Sequence, residues 1–295
     1  MEWLADIDDE VGELPRAVLE VRGMISYEER ALLHHLAAEV GDGAIVELGC
    51  FVGASTLALA TGLAAQGAKG PVHAYDLLRF DEYGMGGYLD GLVEPVQGTD
   101  LVPLFKKHLG AYIDLVELHV GDVNRAPWDG PGIELLFIDI AKSWRTNRYI
   151  TKTFFPWLVP GAVVVQQDLV HWEFPWVAMT MAALSDHFEP LGFVPFGSMV
   201  YRCTRPPTKD DADLDLRGMP LQQQLDLVSA EQDRIDERAR PWLELAKANL
   251  YVHAGDQDLA LSTIEKVEAA VGESVQWIEV GFQRLRERAS ALGQP

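Results

Sequence analysis

Acidic side chains and glycines follow successive apolar runs of the chain, at positions where the strands of a sheet would end. Gly49 and Gly53 follow the first run with the spacing Gly-x-x-x-Gly, which permits a tight turn and presents amides of the next helix. Asp76 follows the second run and can accept hydrogen bonds from both hydroxyls of a ribose. Asp122 either accepts from an adenine amino group or only stabilises a Gly-Asp turn. In this order the residues predict one nucleoside site.

The glycine turn lacks one feature of a dinucleotide-binding loop. Such loops carry Gly-x-Gly-x-x-Gly, because the second glycine lets the backbone approach a pyrophosphate. In this chain Phe51 stands two residues after Gly49, where that second glycine would be. The turn therefore favours a cofactor without a pyrophosphate.

Short apolar runs, separated by lengths that accommodate helices, predict the parallel strands that position these residues. The runs are 44–48, 72–77, 116–120, 135–140 and 162–168. Residues 187–205 predict two further strands joined by a Pro/Gly turn, an antiparallel hairpin at one edge. We expect an α/β fold with a Rossmann-like, mostly parallel seven-stranded sheet and an antiparallel C-terminal hairpin.

One segment precedes these runs, and another lies between the second and the third. Ser26 and Glu29 form the pattern of a capping box and predict an amphipathic helix that leads into the first strand. Residues 79–101 are Gly-rich, acidic and long, a composition shared by active-site lids and by plain surface insertions.

The remainder of the chain predicts a helical extension. Residues 205–220 contain two prolines and a charge run, and read as a linker. Residues 242–270 predict a helix, a Gly-Asp turn and a second helix, which resemble one tetratricopeptide-type unit. One such unit cannot bury its own face, so it packs on the main domain or makes a homodimer. The expected domains are residues 1–204 and 205–295.

Composition excludes several classes of partner. The chain has 295 residues, is 48% hydrophobic, and carries a formal charge of −21 that would repel nucleic acid and anionic membranes. No run of apolar residues is long enough to span a bilayer, and the N-terminus is acidic where a secretory signal is basic. Cys50 and Cys203 are too few for a disulfide framework. We expect a cytoplasmic protein with a small-molecule substrate.

Several of these stretches together resemble the class I S-adenosylmethionine-dependent methyltransferase family. The stretches are VELGCFVGASTLALA, VHAYDL, HVGDV, LLFIDIAKSW and GAVVVQQD, with GMISYEERALLHHLA before them and the hairpin after them. The resemblance covers about residues 23–204 and is strongest for small-molecule and sugar O-methyltransferases. It implies S-adenosylmethionine as the cofactor.

The resemblance also implies roles for individual residues. Glu47, Gly49 and Gly53, with Phe51 between the glycines, would form the cofactor turn, and Ser55 would lie near the methionine carboxylate. The alternative for Glu47 is a structural acid at a strand end. Asp76 would bind the ribose, and Asp122 would bind the adenine.

The run Asp139-Ile-Ala-Lys142 is similar to the Asp-x-x-Lys run of catechol-type O-methyltransferases, in which the acid binds magnesium and the lysine is the base. The other metal ligands of those enzymes are an Asp-Asn pair, and Gln167 and Asp168 stand at that position here. Asp139, Gln167 and Asp168 still offer oxygen ligands for Mg²⁺. Metal-assisted and metal-free mechanisms both stay open.

Two side chains are candidates for the general base that removes the proton of the acceptor hydroxyl. Lys142 beside a cation would have a lowered pKa. His171 follows the proposed metal acid and has the more suitable intrinsic pKa. Three aromatic side chains beside it either wall the acceptor pocket or pack in the core: Trp172, Phe174 and Trp176. The other histidines considered, His34, His35 and His73, have no partners spaced as a zinc site would require.

The function expected on these grounds is S-adenosylmethionine-dependent O-methylation of a small hydroxylated molecule such as a sugar, phenol or natural product. One alternative is a catalytically inactive protein that binds the same cofactor and serves as a scaffold or subunit. A nicotinamide-dependent oxidoreductase is a further alternative, which the missing second glycine of the turn disfavours.

Overall fold

A computed structural model of the protein describes residues 4, 6–67, 70–94, 96–194, 197–271 and 276–292. The described strands are β1 (Ala44–Leu48), β2 (Val72–Asp76), β3 (Val116–Val120), β4 (Ile133–Ile138), β5 (Leu158–Gln166), β6 (Phe188–Val194) and β7 (Ser198–Cys203). Their order in the sheet is β3-β2-β1-β4-β5-β7-β6. The first five run parallel, and β7 pairs antiparallel with both β5 and β6. The described residues thus confirm the predicted seven-stranded sheet with its antiparallel hairpin.

Helices precede, connect and follow these strands. They are α1 (Ile7–Gly12), α2 (Arg16–Glu20), α3 (Tyr27–Glu39), α4 (Ala54–Ala65), α5 (Glu82–Met85), α6 (Val102–Leu109), α7 (Trp144–Phe154), α8 (Pro175–Ala183), α9 (Leu221–Arg234), α10 (Arg240–Ala254), α11 (Gln257–Val271) and α12 (Gln276–Ala291). The capping box predicted for α3 is present, because Ser26 Oγ accepts from the Glu29 amide and Glu29 Oε2 accepts from the Ser26 amide. No helix among the described residues is long and apolar enough to cross a membrane.

The two faces of the sheet are covered by different helices. Ile45 on β1 packs with α3, α4 and α6, whereas its neighbour Val46 packs with α7 and α8 on the opposite face. Every residue of β1 is buried, as expected for the central strand of a parallel sheet covered on both faces. The strand order reverses between β1 and β4, and in such sheets ligands bind outside the carboxyl ends of the strands at that point.

The C-terminal helices dock on the sheet domain of the same chain. The Tyr201 hydroxyl on β7 donates to Glu231 Oε1 on α9 at 2.5 Å, and both side chains are fully buried. Arg234 donates to the carbonyls of Met181 at 3.0 Å and Phe188 at 2.6 Å. The predicted helix, turn and helix are present as α10 and α11, with Gly255 in the left-handed conformation between them. Of the two expectations for this extension, intramolecular docking is realised, and homodimerisation stays a prediction.

Candidate active site

A cavity of about 370 Å³ lies at the carboxyl ends of β1, β2 and β4. Its walls come from the glycine turn, the loops after β2 and β4, and the segment before α3: Gly23, Met24, Ile25, Gly49, Cys50, Phe51, Ala54, Ser55, Asp76, Leu77, Arg79, Asp81, Gly84, Met85, Asp139, Ile140 and Lys142. The volume suits a small-molecule ligand. The lining joins the predicted cofactor turn to the predicted catalytic acid.

The glycine turn is closed against the loop that follows β4. Gly49 has a φ of +99°, and a Cβ there would lie 2.7 Å from the carbonyl oxygen of Asp139. Gly53 has a φ of +95°, and a Cβ there would lie 2.6 Å from Leu109 Cδ2. Both positions therefore require glycine for conformation and for space. Gly53 is the N-cap of α4 and supplies no side-chain acceptor, so the first amides of α4 are oriented to bind a carboxylate.

Asp76 holds the turn and faces the cavity. Its Oδ2 accepts from the Phe51 amide at 2.9 Å, and its Oδ1 accepts from the Leu78 amide at 2.7 Å. Burial raises the pKa of Asp76, and the backbone N–H groups oppose that shift. Each carboxylate oxygen can accept a second hydrogen bond. The arrangement therefore fits a pair of ribose hydroxyls, the contact expected from the sequence.

Glu47 lies beneath the turn, outside the lining of the cavity. It is fully buried, and its Oε2 accepts from the Thr56 hydroxyl at 2.6 Å. Burial raises the pKa of Glu47 to about 8, although hydrogen bonds from Ser55 and Thr56 lower it. Glu47 Oε1 accepts no hydrogen bond from the described residues. The geometry gives Glu47 a role in positioning the first turn of α4, where Ser55 faces the cavity.

Asp122 stands apart from the cofactor cavity. Its Oδ1 accepts from the amide of Asn124 at 3.0 Å and from the side chain of Asn124 at 2.9 Å, which caps a short 3-10 turn. Asp122 lines a different cavity, beside Arg125 and Trp128. Plain turn chemistry, one of the two interpretations drawn from the sequence, accounts for its contacts. Its role in binding adenine stays a prediction.

Lys142 joins two carboxylates at the far end of the cofactor cavity. Its Nζ lies 3.0 Å from Asp139 Oδ1 and 3.3 Å from Asp168 Oδ2. Burial alone would lower the pKa of Lys142, but the two carboxylates outweigh burial and raise that pKa above its usual range. The lowered pKa was expected for a lysine beside a cation, and that expectation stays a prediction. A lysine that stays charged at neutral pH has no lone pair with which to accept a proton.

Asp139 lines the same cavity as Lys142 and, unlike a charged lysine, offers lone pairs that can accept a proton. Its side chain is 15% exposed. Burial raises the pKa of Asp139 to about 7, Lys142 lowers it and Asp168 raises it further. A general base is most effective when its pKa lies near the working pH.

The residues expected to bind magnesium fit that ion in ligand type. Asp139 and Asp168 each place one carboxylate oxygen beside the Lys142 ammonium, and the buried Gln167 Oε1 accepts no hydrogen bond from the described residues. Two carboxylates and an amide oxygen are ligands that a hard cation accepts. Mg²⁺ at this position would replace the Lys142 ammonium as the partner of the two carboxylates.

His171 and its aromatic neighbours lie outside the cavity lining. His171 Nδ1 accepts from the Glu173 amide at 3.2 Å, and the ring stacks on Phe174 with centroids 4.7 Å apart. Burial lowers the pKa of His171. Trp172 packs against the C-terminal helices, and Trp176 is buried and donates to the Ala141 carbonyl at 2.5 Å. These contacts are those of packed side chains, which was one of the two interpretations drawn from the sequence.

The remaining lining residues were not predicted individually. Met24 and Ile25 come from the segment before α3, and Arg79 and Met85 come from the segment 79–101. The arms of that segment are joined, since the Phe80 amide donates to the Thr99 carbonyl at 2.9 Å. Its glycine-rich composition suggested a lid without indicating which side chains face the ligand.

The cavity brings together the glycine turn, Asp76 and Asp139, as the resemblance to class I S-adenosylmethionine-dependent methyltransferases implies. Residues 46–169 match the family model described as a methyltransferase domain. This match confirms the resemblance seen in the sequence.

Solved structures similar to this chain have low sequence identity to it. Cofactor-bound Rv0187 from MTB is 18% identical, with 70% of this chain and 91% of that chain covered and a TM-score of 0.45. The O-methyltransferase NovP is 14% identical, with 68% and 99% covered and a TM-score of 0.49. The O-methyltransferase TomG from Streptomyces achromogenes, solved with S-adenosylmethionine, is 19% identical, with 69% and 90% covered and a TM-score of 0.43. A comparison with curated proteins finds no match.

Proposed function

We propose that the protein transfers a methyl group from S-adenosylmethionine to a hydroxyl group of a small molecule. The observation that carries this proposal is the shared cavity, in which Asp139 and Lys142 line the same space as Gly49 and Asp76. When bound, S-adenosylmethionine supplies an electrophilic methyl group on a sulfonium. The chain must then hold an acceptor oxygen in line with that methyl group and take its proton.

The cofactor half of the cavity offers groups for two polar parts of S-adenosylmethionine, the methionine carboxylate and the ribose. The first amides of α4, beside Ser55, would bind the methionine carboxylate. Asp76 would accept from the ribose hydroxyls, because its backbone contacts fix both carboxylate oxygens. The adenine acid predicted from the sequence, Asp122, is tested separately below.

Asp139 is the residue to which we assign proton removal. It lines the cavity, and Lys142 holds its carboxylate at 3.0 Å. Lys142 would orient this carboxylate and offset the charge of the two acids. His171 lies outside the lining, so a direct role for it would require the acceptor to reach beyond the cavity.

A divalent ion is the alternative partner of the same acids. Asp139, Asp168 and Gln167 would hold Mg²⁺, which would polarise the acceptor hydroxyl and lower its pKa. In the arrangement described here the Lys142 ammonium lies 3.0 Å from Asp139 and 3.3 Å from Asp168, and so offsets part of their negative charge. We therefore propose that transfer proceeds without the metal.

The acceptor would enter between the segment before α3 and the segment 79–101. Met24, Ile25 and Met85 give this side of the cavity apolar walls, and Arg79 adds one charged side chain. This lining favours a small hydroxylated molecule with an apolar ring or chain. The net charge of −21 disfavours nucleic-acid acceptors.

The test is methyl transfer from isotopically labelled S-adenosylmethionine to a panel of phenols, sugars and other hydroxylated molecules, with a chelator and with added Mg²⁺. We expect transfer to at least one hydroxyl acceptor, at a rate that the chelator does not change. Loss of activity with chelator and its return with Mg²⁺ would contradict the metal-free mechanism. Cofactor binding without transfer to any acceptor would instead support the scaffold alternative.

A further inference from the structure

Two histidines and a glutamate meet on the edge of the sheet, away from the methyl-transfer cavity. Parallel pairing places His73 on β2 opposite Glu117 on β3, and Tyr75 opposite His119. Alternate residues of a strand point to the same face, so these four side chains share one face of the sheet. The expectation that His73 has no partner suited to zinc is therefore wrong, because its partners come from the neighbouring strand and not from a local motif.

The ligand atoms of these three residues lie close to the spacing of a zinc site: one atom from each residue lies within 4.8 Å of the other two, and the two nearest contacts of Glu117 use different carboxylate oxygens. His73 Nδ1 lies 3.3 Å from His119 Nε2 and 3.5 Å from Glu117 Oε2, and His119 Nε2 lies 3.6 Å from Glu117 Oε1. Tetrahedral zinc with bonds of about 2.0–2.1 Å keeps its ligand atoms about 3.4 Å apart. Among the described residues, this is the group in which three such side chains bring their ligand atoms together.

Aromatic contacts fix the two imidazole rings. Tyr75 stacks on His119 with centroids 4.2 Å apart and planes 7° apart. Trp128 meets His73 edge-on with centroids 4.9 Å apart, and its Nε1 donates to the Pro131 carbonyl at 3.1 Å. Rings held in this way lose little conformational freedom when they bind an ion, which favours binding.

Exposure and protonation also suit an incoming ion. The side chain of His73 is 13% exposed, that of His119 is 30% exposed and that of Glu117 is 56% exposed, beside a cavity of about 540 Å³. Burial lowers the pKa of His73 and of His119, although Glu117 opposes both shifts. Both rings are therefore neutral near pH 7, the state in which imidazole binds a metal.

We propose that His73, Glu117 and His119 bind one zinc-class transition metal ion and leave a fourth position open to water or a small ligand. Imidazole ligands favour Zn²⁺, Ni²⁺ and Cu²⁺ over Mg²⁺. None of the three residues lines the cofactor cavity, so the ion is distinct from any metal at Asp139. It would link the edge strand β3 to β2 and stabilise the folded state. This inference does not rest on the proposed methyl transfer.

The test is a calorimetric titration of Zn²⁺ into the full chain, freed of metal by dialysis against a chelator and carrying no histidine tag. We expect one ion per chain, a rise in melting temperature with Zn²⁺, and no competition from Mg²⁺. Glu117→Gln and His119→Gln should each weaken Zn²⁺ binding by at least about tenfold. Cobalt absorption, stronger in four-coordinate than in six-coordinate sites, would report the same loss.

The matched control is His35→Gln. The ring nitrogens of His35 lie 3.4 Å from Glu10 and 3.3 Å from Glu39, so it is a histidine with two carboxylates nearby. We expect this variant to bind Zn²⁺ like the unmodified protein. Because Glu117 is largely exposed, Glu117→Gln should melt normally without metal. Unchanged Zn²⁺ affinity in both site variants, or a loss only in the control, would overturn the proposal.

Discussion

We propose Asp139 as the proton acceptor because three of its properties suit that role. It follows a central strand, lines the cofactor cavity, and has its pKa raised by burial to about 7. The Lys142 ammonium lies 3.0 Å from that carboxylate, and we propose that it acts as the charge partner of Asp139. The catechol-type pattern suggested the opposite assignment, with the acid as metal ligand and the lysine as base.

We expect Asp139→Asn to lower kcat by about a hundredfold or more, the range lost when a general base is removed. Affinity for S-adenosylhomocysteine should change little, since Asp76 and the glycine turn provide the cofactor contacts. Steady-state kinetics and calorimetry would measure the two quantities. Asp213→Asn is the control, because Asp213 pairs with Lys152 in a different cavity. A variant at Asp139 that keeps full kcat would remove the proposed role.

At the scale of elements, the turn between β1 and α4 closes the cofactor site. At Gly49 the turn lies against the Asp139 carbonyl in the loop after β4. Glu47 accepts a hydrogen bond from Thr56 and so holds the first turn of α4. The turn also contains Phe51 at a φ of +46°, a conformation that side chains adopt at a cost in free energy. A hydrogen bond from the Phe51 amide to Asp76 Oδ2, 2.9 Å long, helps to hold Phe51 in this conformation.

Gly49→Ala should abolish cofactor binding and lower the free energy of unfolding by about 1–3 kcal/mol. The matched control is Gly67→Ala, because Gly67 also has a left-handed φ, of +81°, but no atom within 4 Å of the added Cβ. The control carries the conformational penalty without the collision with the Asp139 carbonyl. Denaturant unfolding and calorimetry of both variants would test this. Equal effects at the two glycines would contradict the steric account.

Glu47→Gln should change how stability depends on pH. The carboxyl has a pKa of about 8 in the folded protein and an ordinary value of 4.5. Between these values the folded state holds a proton that the unfolded state has lost, so stability falls as pH rises. The Gln variant lacks this dependence. From about pH 5 to about pH 8, the difference between the free energies of unfolding of the Gln variant and the unmodified protein should shift in favour of the variant by about 3–4 kcal/mol. If the free energies of unfolding of the two proteins changed with pH in the same way, the raised pKa of Glu47 would be contradicted.

At the scale of the whole molecule, the C-terminal helices and the sheet domain share a buried polar contact. The Tyr201 hydroxyl donates to Glu231, which also pairs with Arg234. Burying that carboxylate is tolerated because donors from two elements meet it. The expected division at residue 204 stays a prediction, and this contact crosses it.

Tyr201→Phe should lower the free energy of unfolding by about 1–3 kcal/mol, since it removes a donor to a buried carboxylate. Tyr149→Phe is the control, because its hydroxyl donates to the Ala126 carbonyl at 3.1 Å on the partly buried surface. The control should have the smaller effect. Unchanged stability for the Tyr201 variant would mean that the extension does not dock in this way.

The strands and the cofactor turn were accessible from the sequence, because both depend on local patterns. Apolar runs of strand length and the Gly-x-x-x-Gly spacing determine them. The pairing of Lys142 with Asp168, and that of His73 with Glu117 and His119, join segments that meet only in the sheet. The packing of Trp172 on the C-terminal helices depends on how the extension docks. Contacts of this kind are not predicted by the spacing of residues in the sequence.

The central claim is that the cavity between the Gly49 turn and Asp139 binds S-adenosylmethionine. Calorimetric titration with S-adenosylhomocysteine tests it most directly. We predict one site with a dissociation constant on the order of 1–100 µM, the range usual for such ligands. Asp76→Ala should weaken binding at least about tenfold, roughly 1.4 kcal/mol, and Asp122→Ala decides the adenine role in the same experiment. An absence of binding, or an affinity that Asp76→Ala leaves unchanged, would contradict the account.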